Sequence, residues 1–294
     1  MPDGESAGSM SPGLKNKYTK LQSILRDLRS VVIGFSGGVD SSLLLKVAFD
    51  VLGEKAIAVI GKSETYPRQE YREAVSLAEL IGVQPIEVVT KEIENPLYSK
   101  NPTDRCYHCK TELFGKLSAI AREKGIRWVV DGSIIDDLGD FRPGMKAKDE
   151  QHVRSPLLEA GLSKKDVREL SRELGLPNWD KPSFACLSSR FPYGYEITRE
   201  ALGRIDRAET YLRERGFKHL RVRNHDEKTA RIEVGTEEMH RLMDAAVRSE
   251  LVSFLKEIGF TYVTLDLQGY RTGSMNETLS LPLKTDRHSG DSGQ

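Results

Sequence analysis

The sequence predicts an α/β protein in which a parallel sheet covered by helices is followed by a smaller α+β domain. Two observations carry this. Between about Lys15 and Asp180, apolar strand-like runs alternate with helical patterns, the order of βαβ units in a parallel sheet. Beyond a Ser-, Gly- and Pro-rich stretch, "SFACLSSRFPYG", the order changes to helix, strand, strand, helix, strand.

Taken in order, residues 1–14 are rich in Gly, Ser and Pro and are expected to be disordered. A first domain spans 15–182. It contains "SVVIGFS" as a buried strand, a helix from Asp40, "AIAVIG", a helix from about Arg68, "PIEVV", a helix from about Tyr107 and "RWVVDGS". Residues 183–196 form a linker. The second domain, 197–283, begins with a helix over Arg199 to Arg215. It continues through "HLRVRNH", "ARIEV", a helix over Glu237 to Ile258 and "TYVTLDL". Residues 284–294 are a polar tail, also expected to be disordered.

Composition narrows the function. Lys plus Arg and Asp plus Glu both total 44 in 294 residues, so no general basic field would gather nucleic acid, and none is expected as a partner. There is no membrane-length apolar run and no signal-peptide core in "MPDGESAGSMSPG", which predicts a cytoplasmic protein without a membrane partner. Three cysteines are an odd number in a reducing compartment, so a disulfide framework is not expected.

The stretch "VVIGFSGGVDSSLLLK" turns from a strand into a helix through two glycines. Glycine permits positive φ and close approach of the backbone, and the helix start offers unpaired N–H groups to an anion. The lysine of a classical P-loop is missing. "SGGVDSS" instead resembles the PP-loop of ATP pyrophosphatases, which split ATP between the α and β phosphates. The resemblance implies a Rossmann-like, adenine nucleotide alpha hydrolase-like sheet. It also implies that Gly34, Ser36, Gly37, Gly38, Asp40, Ser41 and Ser42 serve ATP, with Asp40 organising the loop and its metal. The adenylate formed by such cleavage turns a carboxylate oxygen into a leaving group for a nucleophile.

The cysteines are candidates for supplying that nucleophile. Cys106 and Cys109 have C-x-x-C spacing at a helix start, where the helix dipole lowers thiol pKa, and Cys186 lies in the linker. Three thiolates plus His108 would make a zinc site. Alternatively, three thiolates hold three irons of a [4Fe-4S] cluster and leave one iron open to hydrosulfide. On a helix His108 points away from both cysteines, which favours the cluster. Three unrelated buried thiols are the bland alternative.

From about Leu21 to Leu279 the chain is similar to the LarE family, the ATP-dependent sulfur transferases of nickel-pincer nucleotide biosynthesis. The resemblance rests on "FSGGVDSS", "DGSIIDDLGDFRPGMKA", "DVRELSRELGLPNWDKPS", "SSRFPYG", "LRVRNHDEKTARIEV" and "YVTLDLQGYRTGSMNETL". It implies adenylation of a pyridinium-3,5-biscarboxylic acid mononucleotide and replacement of carboxylate oxygen by sulfur. One branch of the family sacrifices a linker cysteine, at the place held here by Ala185, and lacks the C-x-x-C pair. Another has three cysteines and a [4Fe-4S] cluster, and this chain resembles the second. The family also implies a homo-oligomer, a hexamer, and an external sulfide donor.

Further candidates follow. Arg221 and Arg223 have period-two spacing, so both guanidiniums emerge on one strand face and suit a phosphate clamp. The resemblance assigns them, with Ser189, to the substrate's phosphate. It also makes Glu209 an active-site glutamate, although a solvated helix face fits the same spacing. Asp131, Asp136, Asp137 and Asp140 form an acidic cluster suited to Mg²⁺ held with ATP phosphates, while Arg142 and Lys146 could meet ATP or adenylate phosphate. Competing readings are tRNA thiolation, an ammonia-dependent ligase similar to NAD synthetase, a non-catalytic adenine-nucleotide module, and sacrificial sulfur donation from Cys186 without a cluster.

Overall fold

A computed structural model describes residues 10–139, 143–182, 185–271, 273, 274 and 277. The first element among the described residues is helix α1 (Pro12–Leu28), which corrects the expectation of disorder at residues 12–14. The Ser11 side chain accepts from the Leu14 N–H, Pro12 suits the first turn, and Leu14, Leu21, Leu25 and Leu28 form one buried stripe. Residues 1–9 and the 284–294 tail lie outside the described residues.

The order then runs β1 (Val31–Gly34), α2 (Val39–Leu52), β2 (Ala56–Lys62), α3 (Arg68–Ile81), β3 (Ile86–Val89), short α4 (Pro96–Ser99), α5 (Arg105–Glu123) and β4 (Trp128–Val130). Helices α6 (Pro143–Glu150), α7 (Pro156–Glu159) and α8 (Lys164–Glu173) complete the first unit. Its sheet has the order β3-β2-β1-β4 with every pair parallel. Val31 and Ile33 enter one core while Val32 enters the other with Val59, Val129 and Leu117. A strand buried on both faces has to be a continuous apolar run, which is why "VVI" carries no alternation. The chain leaves β1 toward β2 and β3 but returns to β1's other side as β4. The resulting switch point, outside the carboxyl ends of β1 and β4, is where such sheets bind ligands.

After the linker come α9 (Arg199–Glu214), β5 (Leu220–Asn224), β6 (Thr229–Val234), α10 (Met239–Met243), α11 (Ala245–Glu257) and β7 (Tyr262–Leu265). Strand β6 is central, antiparallel to β5 and parallel to β7. The single helix expected over 237–258 is broken. Asp244 adopts an extended conformation and its carboxylate accepts from the N–H groups of Ala246 and Val247, so a new helix starts there. Helix α9 buries Leu202, Ile205, Ala208 and Leu212 against this sheet, and Tyr98 of α4 joins the same core. Among the described residues no helix is long and apolar enough to cross a membrane.

Candidate active site

The turn after β1 reaches α2 through Gly37, whose φ is +63°. A Cβ there would lie 2.5 Å from the Ala74 Cβ, so close packing and left-handed backbone both demand glycine. Ser41 Oγ accepts from the Ser36 N–H at 3.3 Å, and the Ser41 and Ser42 hydroxyls donate to the Gly38 carbonyl at 3.1 and 2.8 Å. No side chain caps α2, so its first N–H groups face outward with the positive end of the dipole. Gly132, just past β4, comes so near that its Cβ would stand 3.0 Å from the Ser41 nitrogen. The cradle therefore sits at the switch point.

Residues that went unnoticed in the sequence frame this turn. Asn178 Nδ2 donates to the Gly37 carbonyl and to Ser42 Oγ, each at 3.1 Å, and Tyr66 Oη donates to the Ser36 carbonyl at 2.7 Å. Lys164 Nζ contacts both Asp40 oxygens at 2.8 Å. Gly34 is the last residue of β1, where a Cβ would press on Leu117 at 3.3 Å.

The acidic cluster does not converge. Asp131 is buried and accepts from Ser133 and Ser155 hydroxyls, Asp136 accepts from the Lys164 N–H, and Asp137 accepts from the Ile134 N–H. Among the described residues no three His, Cys, Asp or Glu side chains lie close enough to hold a metal ion. Asp140 and Arg142 lie outside the described residues, and Lys146 is an exposed partner of Glu150 at 3.8 Å.

The cysteines are brought to one neighbourhood by the segment from α4 into α5. Asn101, fully buried with φ +54°, donates through Nδ2 to the Pro192 carbonyl at 2.7 Å, and its own carbonyl accepts from the Gly194 N–H. Tyr98 Oη and Ser188 Oγ are 2.6 Å apart, and the Leu187 N–H donates to the Thr65 carbonyl beyond β2. These bonds hold the Cys186 turn against the first turns of α5. Burial, followed by Glu92, Cys186 and Cys106, pushes the Cys109 thiol well above its ordinary pKa. This corrects the expectation of a lowered value, since desolvation outweighs the helix dipole at the fifth residue of α5. Arg105, buried and bonded to Asn101 Oδ1 at 2.9 Å, stands beside Cys186 and Cys106. His108 turns away toward Asp104, with 3.9 Å between Nε2 and Oδ2.

Arg190 organises the linker. Its guanidinium is fully buried, forks onto Glu209 at 2.9 and 2.8 Å, and reaches the carbonyls of Ala185 and Cys186 at 2.6 and 2.9 Å. Glu209 is also fully buried and takes Arg213 at 2.9 Å and the Val222 N–H at 3.0 Å. Burial raises its pKa, but Arg190 and then Arg213 overcome that and hold it at about 2. The solvated-face alternative for Glu209 is excluded. The only hint in the sequence was an arginine between "LSS" and "FPYG".

The arginine pair divides its work. Arg223 is 5% exposed and committed to Glu233 at 2.6 Å, Ser274 Oγ at 2.9 Å and the Ser189 carbonyl at 3.0 Å. Ser189 Oγ donates to the Cys186 carbonyl at 2.9 Å, so it braces the turn. Arg221 lies over the Tyr270 ring at 5.1 Å and donates to the Leu220 carbonyl, with no carboxylate within ion-pair distance among the described residues. Burial and the neighbouring Arg190 lower its pKa, the condition of a cation awaiting an anion. Arg223 is therefore held by an ion pair, while Arg221 has no ion pair among the described residues.

An anion cradle of this form, at a switch point and without a P-loop lysine, defines a PP-loop ATP pyrophosphatase, an α/β enzyme that uses ATP. Residues 16–118 match the family model described as NAD synthase. The chain belongs to the LarE family of ATP-dependent sulfur transferases. It is 42% identical over 269 residues to pyridinium-3,5-bisthiocarboxylic acid mononucleotide synthase of Lactiplantibacillus plantarum, covering 91% of this chain and 96% of the relative. It is 45% identical over 267 residues to uncharacterized protein slr1717 of Synechocystis, covering 91% and 99%. A more distant likeness joins it to the tRNA-specific 2-thiouridylase MnmA of Azorhizobium caulinodans, 30% identical over 52% of this chain and 48% of that one.

Proposed function

We propose that this enzyme adenylates the carboxylates of pyridinium-3,5-biscarboxylic acid mononucleotide and exchanges an oxygen of each for sulfur, drawing the sulfur from a [4Fe-4S] cluster on Cys106, Cys109 and Cys186. The neighbourhood that the three cysteines share supports the reading, although in this structure their side chains do not stand close enough together to hold a metal ion and would have to draw in around the cluster. Their soft thiolates match iron, Arg105 beside them offsets negative charge, and three ligands leave one iron open. Bound there, the cluster supplies an exchangeable iron site for hydrosulfide delivered by an external donor.

The steps balance without an oxidant. A substrate carboxylate oxygen attacks the α-phosphorus of ATP and pyrophosphate leaves. Sulfide then adds to the acyl carbon, and the bond to the AMP oxygen breaks, giving thiocarboxylate and AMP. The uncapped α2 start, with Ser41 and Ser42, receives the departing pyrophosphate. Asp40, exchanging Lys164 for Mg²⁺, and Asp137 would hold the metal with the ATP phosphates. Arg142 serves adenylate phosphate, and Arg221 binds the substrate's phosphate. Arg190 and Glu209 fix the carbonyls around Cys186. The reading includes a cytoplasmic location, which keeps the thiols reduced, and a homo-oligomeric, hexameric assembly.

Anaerobic purification with iron, acid-labile sulfide and zinc analysis tests this. About four irons with a broad band near 400 nm, lost in Cys106→Ala, Cys109→Ala and Cys186→Ala alike, is the expected result. Zinc or no metal would refute the cluster. Loss of the Cys186 sulfur after turnover would show sacrificial donation instead.

A further inference from the structure

Glycine at 37 solves one problem in the turn between β1 and α2 and creates another. It permits the φ of +63°, but Gly37 and Gly38 have no Cβ to hinder rotation, so nothing local fixes how their peptide planes face. Two side chains from elsewhere do so. Tyr66 Oη donates to the Ser36 carbonyl at 2.7 Å, and Asn178 Nδ2 donates to the Gly37 carbonyl at 3.1 Å. A trans peptide is planar, so a carbonyl held one way sends the next residue's N–H the opposite way. The Gly37 N–H therefore points away from Tyr66 and the Gly38 N–H away from Asn178. Among the described residues these two N–H groups have no partner, and neither do those of Val39, Asp40 and Ser41. The next one, of Ser42, donates to the Gly38 carbonyl at 3.0 Å.

Both outside donors are anchored on α3. The Tyr66 ring meets Tyr71 edge-on at 6.2 Å between centroids. Burial, reinforced by Glu70 and Glu73, raises the Tyr66 pKa, so the hydroxyl keeps its proton and stays a donor. The turn that carries Asn178 ends at Lys181, whose N–H donates to the Asn178 carbonyl at 3.0 Å and whose ammonium pairs with Glu70 and Glu73 at 2.7 and 2.8 Å. One helix thus fixes the peptide planes of the turn through two side chains.

We propose that Tyr66 and Asn178 are positioning residues for ATP cleavage: by holding the Ser36 and Gly37 carbonyls outward, they aim the Gly37 and Gly38 amides at the pyrophosphate as it leaves. Neither side chain touches the reacting atoms. They act through the backbone, and donors aligned before charge develops stabilise it without reorganising. The inference deepens the proposed function and rests only on its ATP cleavage, not on the cysteines or on which carboxylate is activated.

Calorimetric titration of pyrophosphate with Mg²⁺ into wild type, Tyr66→Phe and Asn178→Ala tests it, with thermal melts alongside. Tyr66→Phe removes one oxygen and keeps the ring, so its fold should survive. The expected result is a Kd for pyrophosphate raised about tenfold in each variant. Protection of amides 36–42 from hydrogen exchange by pyrophosphate should weaken in step. At saturating ATP, kcat for pyrophosphate release should also fall, because the amides act on the leaving group's charge. A wild type that binds no pyrophosphate overturns the proposal. So does a lowered melting temperature with pyrophosphate affinity and kcat unchanged, which would make both residues ordinary braces. Pyrophosphate binding needs no mononucleotide, so a wild type that binds it yet releases none with this substrate refutes the substrate, while the variants' affinities still decide the positioning.

Discussion

Arg190 and Glu209 meet with no exposed surface on either side chain, and a charge pair taken wholly out of water persists only because each partner neutralises the other. Glu209 therefore ionises at about 2 in the folded chain against an ordinary value of 4.5. A depressed carboxylate contributes its stability fully above the unfolded value and loses it as pH falls toward the folded value. Denaturant titrations should show a loss of roughly 3 kcal/mol assignable to Glu209 between pH 4.5 and 2, from 1.36 kcal/mol per pKa unit. Glu209→Gln, less stable at neutral pH, should show a slope shallower by up to one proton in that window. Equal slopes would mean that the pair does not form.

The arginines of β5 give a second test at this scale. Arg223→Ala leaves the fully buried Glu233 with Arg231 and the Ser274 hydroxyl, each at 3.1 Å, as its remaining partners and should cost about 1–3 kcal/mol, read as a fall in denaturation midpoint. Arg221→Ala strands no carboxylate. It should leave thermal stability near wild type and raise KM for the mononucleotide about tenfold, the size of one charge-assisted phosphate contact. A large stability loss in Arg221→Ala would contradict the division of labour.

At the scale of elements, the turn between β1 and α2 depends on one glycine. Gly37→Ala would place a side chain at φ +63° and drive its Cβ to 2.5 Å from Ala74. Left-handed strain and overpacking each cost about 1–3 kcal/mol. Thermal unfolding several degrees below wild type, together with loss of ATP-dependent pyrophosphate release, is expected; an unchanged melting temperature would mean that α3 gives way freely. This turn was legible because glycines, serines and a strand-to-helix change are local signals. Helix α1 was legible in Ser11-Pro12 and in leucines spaced seven, four and three residues apart, but its first turn joins the Gly-, Ser- and Pro-rich start of the sequence and reads as part of it. The break at Asp244 was also missed, since an aspartate within an amphipathic pattern reads as a surface residue until its carboxylate is seen capping. Arg190 and the Arg223–Glu233 pair were illegible for a different reason: burial of a charge depends on a partner about 10 to 20 residues away across a fold, and no local period encodes it. The bonds that bring the Cys186 turn beside α5, through Asn101 and Tyr98, are long-range and have no local signal either.

For the whole molecule, the question is whether the two sheets unfold together. The linker is not a tether. Tyr98, from the first unit, is 2% exposed within the core of the second, where it packs with Leu187, Phe191 and Ile197. The Ile197 N–H donates to the Ser99 carbonyl, the Gly194 N–H to Asn101 and the Leu187 N–H to Thr65, so the linker backbone is bonded to the first unit. Arg199 adds ion pairs to Glu64 and Glu94 at 2.7 Å, but at 55% exposure they contribute little. Apolar burial and buried hydrogen bonds thus span the junction, and calorimetry on the full chain should give one cooperative transition whose midpoint is nearly insensitive to salt. Tyr98→Ala removes a buried ring and the partner of Ser188 Oγ, at a cost of about 3–5 kcal/mol as for large-to-small aromatic truncation. If the junction carries the cooperativity, this substitution should split the transition into two, with the second unit melting first and Cys186 becoming open to alkylation before the PP-loop unfolds. Two transitions in the wild-type chain would show instead that each sheet stands alone, and that the turn carrying Cys186 is held beside α5 only by the weaker of the two.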